Sequence, residues 1–226
     1  MRRAPSLFLV ILLLGFALAC GGGGSAGTAN LRFIQGSPDA STVDYLVDGT
    51  TESSNLSYGN ASTYASVKSG SRHVQIIPVN STKPLLDQTV SLADSANETL
   101  ILTGPVAQLK PLVLDDGTTT GTTSSDNVRV VSISNNMGPA DVYIVPAGTS
   151  LSGATPVAKG LDFDQNTGYV GTGATAGNVD VYLTKPGTQS VYLTTGSVNL
   201  SVSTKQTILV LDSPTGGFTF TLLTDQ

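Results

Sequence analysis

The sequence of 226 residues is poor in the residue types on which most enzyme and metal sites depend. It contains one histidine, one cysteine and no tryptophan, and only 12% of its residues are charged. A single cysteine excludes an intramolecular disulfide, and one cysteine with one histidine leaves too few ligands for a structural zinc site. The formal net charge of −5 argues against nucleic-acid binding, because such binding depends on neutralising phosphates.

The single histidine, His73, limits the catalytic chemistry open to the chain. It lies in an alternating stretch, on the face opposite Val74 and Ile76, and is expected to be solvated. No Gly-x-Ser-x-Gly turn is present to position a serine nucleophile. No pair of carboxylates can be assigned to the two sides of a cleft. These absences predict a protein that is not an enzyme and has no cofactor.

The only long apolar run stands at the beginning of the chain. Two arginines are followed by apolar residues from Leu7 to Leu14, and small residues then lead to Cys20. This order is typical of a secretory signal peptide, and the run is too short for a membrane-spanning helix. The residues before Cys20 resemble the lipobox of bacterial lipoproteins, in which signal peptidase II cuts before a lipid-modified cysteine. The resemblance implies that residues 1–19 are removed and that Cys20 carries diacylglycerol and palmitate.

The alternative is an ordinary secretion signal that leaves a free thiol at the new terminus. Residues 20–30 favour the anchor, because they are almost entirely small and uncharged and are predicted to form a flexible tether. Gly21 stands where Asp would direct enterobacterial lipoproteins to the inner membrane. The resemblance therefore implies a lipid-anchored protein of the bacterial cell envelope, in the outer membrane and on its periplasmic or surface leaflet. A Gram-positive host is the alternative.

The remainder of the chain contains an internal repeat. The first copy opens with Leu-Arg-Phe-Ile at residues 31–34, and the second opens with Val-Arg-Val-Val at residues 128–131. Further on, Tyr64 matches Tyr169, and residues 98–102 match residues 206–210. The offset between the copies grows along the chain, which predicts a longer loop in the second copy, within residues 146–156.

Alternating apolar residues and frequent turn residues define the fold class. Val43, Tyr45 and Val47 share one face of a predicted strand, and turn residues recur about every ten residues. No helical periodicity follows the signal peptide. The sequence predicts an all-β protein of two tandem immunoglobulin-like antiparallel β-sandwiches, with about seven strands each. The expected boundaries are 31–116 for the first domain, 117–127 for a polar linker and 128–226 for the second domain.

The opening of the first copy, residues 31–49, reads LRFIQGSPDASTVDYLVDG. It resembles a bacterial family known as domain of unknown function 4397, whose members tend to begin with Val-Arg-Val-Val-His-Ala-Ser-Pro-Asp-Ala. The resemblance extends to about Asp116 and, more faintly, over residues 128–225. It implies secreted or surface-attached β-domains, often in tandem, and it implies no activity. Gln35 stands here in place of the family's histidine.

The loop of Ser37, Pro38 and Asp39 is a candidate interaction loop. Its residue types also favour a tight turn, because Pro38 fixes φ while Ser37 and Asp39 can bond to nearby backbone amides. The second copy has Ser-Asn-Asn-Met-Gly-Pro at residues 134–139 instead. A function that needed Asp39 could therefore belong only to the first copy.

Two groups of carboxylates are candidates for calcium, which takes six to eight oxygen ligands. One is the segment Asp-Phe-Asp-Gln-Asn at residues 162–166, and the other comprises Asp115, Asp116 and Asp126 at the predicted domain junction. Neither matches an EF-hand loop or a β-roll repeat. The simpler expectation is that these aspartates are solvated residues of strand ends and of the linker.

The tyrosines raise the question of carbohydrate binding. Their repetition at matched positions, such as Tyr64 and Tyr169, favours core or strand-edge packing in which the hydroxyl reaches a partner. An exposed aromatic strip for sugars is the alternative.

These observations together predict a non-catalytic envelope lipoprotein that spaces, scaffolds or binds a protein or glycan at the cell surface or in the periplasm. The alternatives are an envelope hydrolase acting on polysaccharide or peptidoglycan, a calcium-dependent adhesion module, and a partner of a secretion or outer-membrane assembly complex.

Overall fold

The computed structural model describes residues 27–117, 127–171, 177–200 and 204–226. Within these ranges the chain is all-β, with seventeen strands, one short 3₁₀ turn at Val106–Gln108 and no α-helix. The predicted signal peptide, Cys20, most of the predicted tether and linker residues 118–126 lie outside the described residues.

The first half of the protein, residues 27–117, forms two four-stranded sheets. Sheet A has the strand order β4-β1-β7-β8, and sheet B has the order β3-β2-β5-β6. The strands are β1 (Thr28–Gln35), β2 (Val43–Val47), β3 (Thr50–Leu56), β4 (Ala65–Lys68), β5 (Gly70–Pro78), β6 (Leu86–Leu92), β7 (Asn97–Thr103) and β8 (Lys110–Asp115).

The second half, residues 127–226, has the same strand order. Sheet C runs β12-β9-β16-β17, with β13 also paired to β9, and sheet D runs β11-β10-β14-β15. The strands are β9 (Asn127–Ser132), β10 (Ala140–Pro146), β11 (Ala158–Leu161), β12 (Gln165–Asn166), β13 (Val170–Gly171), β14 (Gly177–Thr184), β15 (Val191–Leu200), β16 (Lys205–Asp212) and β17 (Phe218–Asp225). The connection between β10 and β11 comprises residues 147–157, whereas the corresponding connection between β2 and β3 comprises only residues 48–49. The shift in offset between the two copies predicted this longer loop.

Period-two alternation places one face of each strand in a core. In β2, Val43, Tyr45 and Val47 are buried, while the residues between them are half-buried. Sheets A and B enclose one cluster, which includes Leu31, Phe33, Tyr45, Ile76 and Leu100. Sheets C and D enclose a second cluster, which includes Val130, Val142, Val181, Leu183 and Ile208.

The sheets differ from the prediction in that they are not purely antiparallel. Strand β1 pairs in parallel with β7, and β9 pairs in parallel with β16. In both halves the chain crosses to the opposite sheet and returns before this pairing forms, so neighbouring strands can run in the same direction. Strand β1 also begins at Thr28, inside the predicted tether, because Ala29 is buried and the Asn30 amide donates to the Ala96 carbonyl.

A third apolar cluster joins the two halves. Sheets A and C contribute to it from the faces that point away from their own cores. Its members are Ile34, Ile101, Leu114, Val131, Ile133, Leu209 and Leu211. The approach is close at Gly36, where an added Cβ would lie 2.5 Å from Cδ1 of Ile133. The halves therefore pack directly against each other.

Tyr45 connects the core of the first half to its backbone. Its hydroxyl donates to the Ile34 carbonyl at 2.7 Å, and its ring centroid lies 4.9 Å from that of Phe33. Burial raises the pKa of the Tyr45 hydroxyl well above its usual range, so the group remains a neutral donor.

We expect Tyr45→Phe to lower the free energy of unfolding by about 1–2 kcal/mol, because a buried carbonyl loses its partner. Urea denaturation measures this change. Tyr192→Phe is the control, because the partly exposed Tyr192 contacts Phe218 through its ring and should be affected much less. Equal effects of the two substitutions would contradict the assignment.

Candidate functional site

The most distinctive polar feature of the protein is a buried ion network between its halves. Arg32 on β1 and Arg129 on β9 have side chains that are only 4% and 3% exposed. Arg32 Nη2 lies 2.5 Å from Asp225 Oδ1, and Arg129 Nη2 lies 2.6 Å from Asp116 Oδ1. Both carboxylates have no exposed side-chain surface. Each half thus supplies an arginine to a carboxylate of the other half.

Each carboxylate is also held by its own half. Asp116 Oδ2 accepts hydrogen bonds from the hydroxyls of Thr99 at 2.5 Å and Tyr64 at 2.7 Å. The second half repeats this arrangement. Asp225 Oδ2 accepts from the hydroxyls of Thr207 at 2.6 Å and Tyr169 at 2.7 Å. Thr99 on β7 corresponds to Thr207 on β16, as the sequence repeat predicted.

The arginines complete the correspondence. Nε of Arg32 donates to Thr99 Oγ1 at 3.0 Å, and Nε of Arg129 donates to Thr207 Oγ1 at 3.1 Å. Each guanidinium also lies over a tyrosine ring of its own half, at 4.9 Å for Tyr64 and 4.6 Å for Tyr169. Backbone carbonyls accept from both Nη1 atoms at 3.0 Å.

Longer contacts close the network into a ring. Arg32 Nη2 lies 3.7 Å from Asp116 Oδ2, and Arg129 Nη2 lies 3.8 Å from Asp225 Oδ2. Two cations and two carboxylates therefore balance one another. Burial raises the pKa values of the Tyr64 and Tyr169 hydroxyls, and the adjacent carboxylates reinforce the shift, so both groups donate as neutral phenols. The arrangement joins the two halves. Its two carboxylates are bonded to arginines and hydroxyls and are not exposed to solvent.

The network corrects the prediction for the junction aspartates. Asp116 is not a solvated linker residue: it is completely buried, because Arg129 and two hydroxyls compensate its charge. Asp126 lies outside the described residues. Asp164 has a side chain only 13% exposed, and its Oδ2 lies 2.5 Å from Lys110 Nζ of the first half.

Further contacts cross the boundary between the halves. The Tyr58 hydroxyl donates to the Asp212 carbonyl at 2.9 Å, and Thr221 Oγ1 donates to the Gly59 carbonyl at 3.2 Å. Lys110 also lies 5.1 Å from the Phe163 ring centroid. No group of three or more His, Cys, Asp or Glu side chains in the described ranges could hold a metal ion.

The candidate interaction loop is a turn bonded to itself and to a neighbouring loop. Ser37 is buried, and its amide donates to Gln35 Oε1 at 2.7 Å. Asp39 Oδ1 accepts from the Ser37 hydroxyl at 3.3 Å and from the Val106 amide at 2.8 Å, which ties the loop to the 3₁₀ turn. Of the three loop residues, only Pro38 and Asp39 are exposed. In the second half, Ser134 and the Asn135 amide bond instead to the carboxylate of Asp212.

His73 is exposed, as its place in the alternation predicted. Its Nε2 lies 2.5 Å from Asp87 Oδ1, and Gln75 Nε2 donates to Asp87 Oδ2 at 2.9 Å. The prediction that matched tyrosines pack with a bonded hydroxyl is confirmed for Tyr64 and Tyr169.

Comparison with protein families shows the family to which the chain belongs. The model of the family "Domain of unknown function (DUF4397)" matches residues 29–143. The chain belongs to the DUF4397 family. The match covers the first half and continues through β9 to Tyr143 on β10. The family description assigns no activity.

No curated protein matches the chain. Among the described residues, none form a helix with the length and apolar character of a transmembrane span.

Sequence reasoning did not identify the ion network. Its signal was the arginine repeated at the second position of both opening motifs, Arg32 and Arg129, whose other three residues are apolar. An arginine at such a position requires a buried acceptor. The acceptor of Arg32 is distant in sequence, since Asp225 lies 193 positions away, whereas the acceptor of Arg129, Asp116, lies 13 positions away across the linker.

We expect Arg32→Met and Arg129→Met each to lower the free energy of unfolding by about 3–5 kcal/mol, because each leaves a buried carboxylate without its cation. Chemical denaturation measures both values, and their near equality tests the correspondence between the halves.

Arg72→Met is the control for these substitutions. Arg72 forms a more exposed pair with Asp48 at 2.9 Å, and its loss should cost about 0–1 kcal/mol. A cost at Arg32 or Arg129 no larger than that at Arg72 would contradict the role of the network.

The surface pair of His73 and Asp87 gives a separate prediction. The hydrogen bond from His73, followed by that from Gln75, lowers the pKa of Asp87. The folded chain therefore keeps Asp87 ionised to a lower pH than the unfolded chain, and the stabilisation is lost as pH falls through the folded-state pKa.

We expect His73→Ala to raise the Asp87 pKa toward its ordinary value, and by more than Gln75→Ala does. Carboxyl-carbon NMR titration measures both shifts. A larger shift from Gln75→Ala would reverse the assignment of the main cause.

Proposed function

We propose that this protein is a lipid-anchored, non-catalytic module of the bacterial cell envelope that presents a stiff β-body for spacing, scaffolding or binding. Lipidated Cys20 would hold it to the outer membrane, and the small residues that follow would form the tether. The partner would be an envelope protein or a glycan. This role needs no reaction and no cofactor.

The observation that carries the proposal is the reciprocal network of Arg32, Arg129, Asp116 and Asp225. It spans the boundary twice and is accompanied by an apolar cluster that includes Ile34 and Leu209. Two halves joined in this way move as one body. A stiff body on a flexible tether is suited to presenting loops and sheet edges at a distance from the membrane.

We further propose that the two halves are tandem copies of one immunoglobulin-like sandwich of the DUF4397 type. The repeated strand order supports this, as do the paired roles of Tyr64 with Tyr169 and Thr99 with Thr207. In each half, two four-stranded sheets enclose one core. The parallel pairing next to the first strand is likewise present in both halves.

The alternative functions have less support from the contacts described above. The carboxylates of Asp116 and Asp225 are paired with arginines, which leaves neither free for hydrolysis. Asp164, from the candidate calcium segment, is paired with Lys110. A binding role therefore agrees better with how the carboxylates are used.

The proposal is tested by following the chain in cells fed labelled palmitate. We expect the label and membrane association to depend on Cys20, because only a thioether at this residue can attach the diacylglycerol. Cys20→Ala should lose the label, and globomycin should cause the uncut precursor to accumulate in the wild type. Ser25→Ala, in the same tether, is the control and should retain both properties. Secretion of unlabelled wild-type protein would refute the anchor.

A further inference from the structure

The two halves differ on the outer face of sheet D. Residues 147–157 form a long connection there, where the first half has only residues 48–49. Asp141 and Tyr143 on this outer face of β10 are only 4% and 6% exposed. Residues 147–157 and the turn at residues 185–190 stand beside this face. The second half therefore has a longer connection beside this face than the first half has.

A cavity of about 810 Å³, open to solvent, lies on this face. Its lining includes the buried residues Asp141 and Tyr143, the prolines Pro156 and Pro186, and the exposed residues Lys159 and Gln189. The volume lies within the range of about 300–1,000 Å³ that is common for small-molecule sites.

Buried Asp141 holds the walls in place. Its Oδ1 accepts the Gly160 amide at 2.9 Å, and its Oδ2 accepts the Gly187 amide at 2.8 Å. Gln189 Nε2 also donates to the Leu151 carbonyl at 2.9 Å, which connects the two walls. The cavity is therefore largely preformed, which reduces the ordering that a ligand would have to impose.

The matching residue of the first half shows what is new. Asp44 is half-buried, and its Oδ1 accepts the Asn55 amide at 2.8 Å, just as Asp141 accepts Gly160. In the second half, the Gly187 amide also donates to the carboxylate of Asp141. The position of Tyr143 is occupied by Leu46 in the first half.

The chemistry of the lining selects a class of ligand. One carboxylate that already accepts two amides and one exposed ammonium give no excess charge, so neither a metal ion nor a polyanion fits well. Pro156 and Pro186 provide apolar surface beside the nearly buried ring of Tyr143. Lys159, Thr188 and Gln189 provide polar groups around it. Apolar surface ringed by polar groups matches a sugar, whose rings are apolar on their faces and polar at their edges.

We propose that this cavity binds a short, uncharged oligosaccharide. The proposal deepens the binding role proposed above by naming a ligand class, and it rests on that role. It does not depend on the lipid anchor, so the Cys20 experiment and the experiment below can fail independently.

The test is calorimetric titration of the full chain, in detergent, with cellobiose, maltose and N,N′-diacetylchitobiose. We expect saturable millimolar binding of at least one of the three. Tyr143→Leu, which installs the residue of the first half, should weaken that binding at least tenfold. Lys159→Ala should weaken it about threefold. Leu46→Ala, at the matched position of the first half, should leave it unchanged.

Melting curves establish that each variant is folded. If Tyr143→Leu does not fold, the exposed Lys159→Ala and Gln189→Ala variants decide the question, because neither side chain belongs to a core. Absence of saturable binding to all three sugars would overturn the proposal. Binding that is unaffected by every cavity substitution would overturn it equally, because it would place the sugar elsewhere.

Discussion

The structure depends on a closed arrangement of two arginines and two aspartates buried between its halves. Removing such charges from water costs several kcal/mol per ion, and partial compensation is worse than an apolar contact. Here Arg32 and Arg129 each meet a carboxylate of the other half, and threonine and tyrosine hydroxyls satisfy the remaining carboxylate oxygen. Because every member needs a partner from across the boundary, only one relative placement of the halves satisfies them all. The network thus specifies how the two halves are placed relative to each other. The apolar cluster between the halves supplies much of the free energy that holds them together.

The two halves use matching residues at the boundary between them but differ away from it. Inside the boundary, Tyr64 and Tyr169 perform the same task with nearly identical distances. Away from it the halves diverge, since Asp141 organises two walls whereas Asp44 meets one amide in the matching place. A binding function is therefore more naturally sought at the unmatched outer face of sheet D than at the matched boundary.

Much of the local structure could be predicted, because strand alternation depends on near neighbours. The burial of Val43, Tyr45 and Val47, the exposure of His73 and the longer loop of the second half all agree with their patterns. The parallel pairing of β1 with β7 was not predicted, because alternation carries no information about strand direction. Asp116 was misread because a polar neighbourhood in sequence indicates solvent, whereas its actual neighbours are Tyr64, Thr99 and Arg129.

The sequence by itself determined the all-β class, the internal repeat and the shared face of Val43, Tyr45 and Val47, because each follows from spacing along the chain. It also carries the expectation of a lipid anchor at Cys20, which is a matter of local motif. Only the tertiary structure decided which strands pair in parallel, where Asp116 and Asp225 find their cations, and that Asp141 holds together two loops. The contacts concerned join residues as much as 193 positions apart. Such contacts depend on how the sheets pack and not on any local pattern.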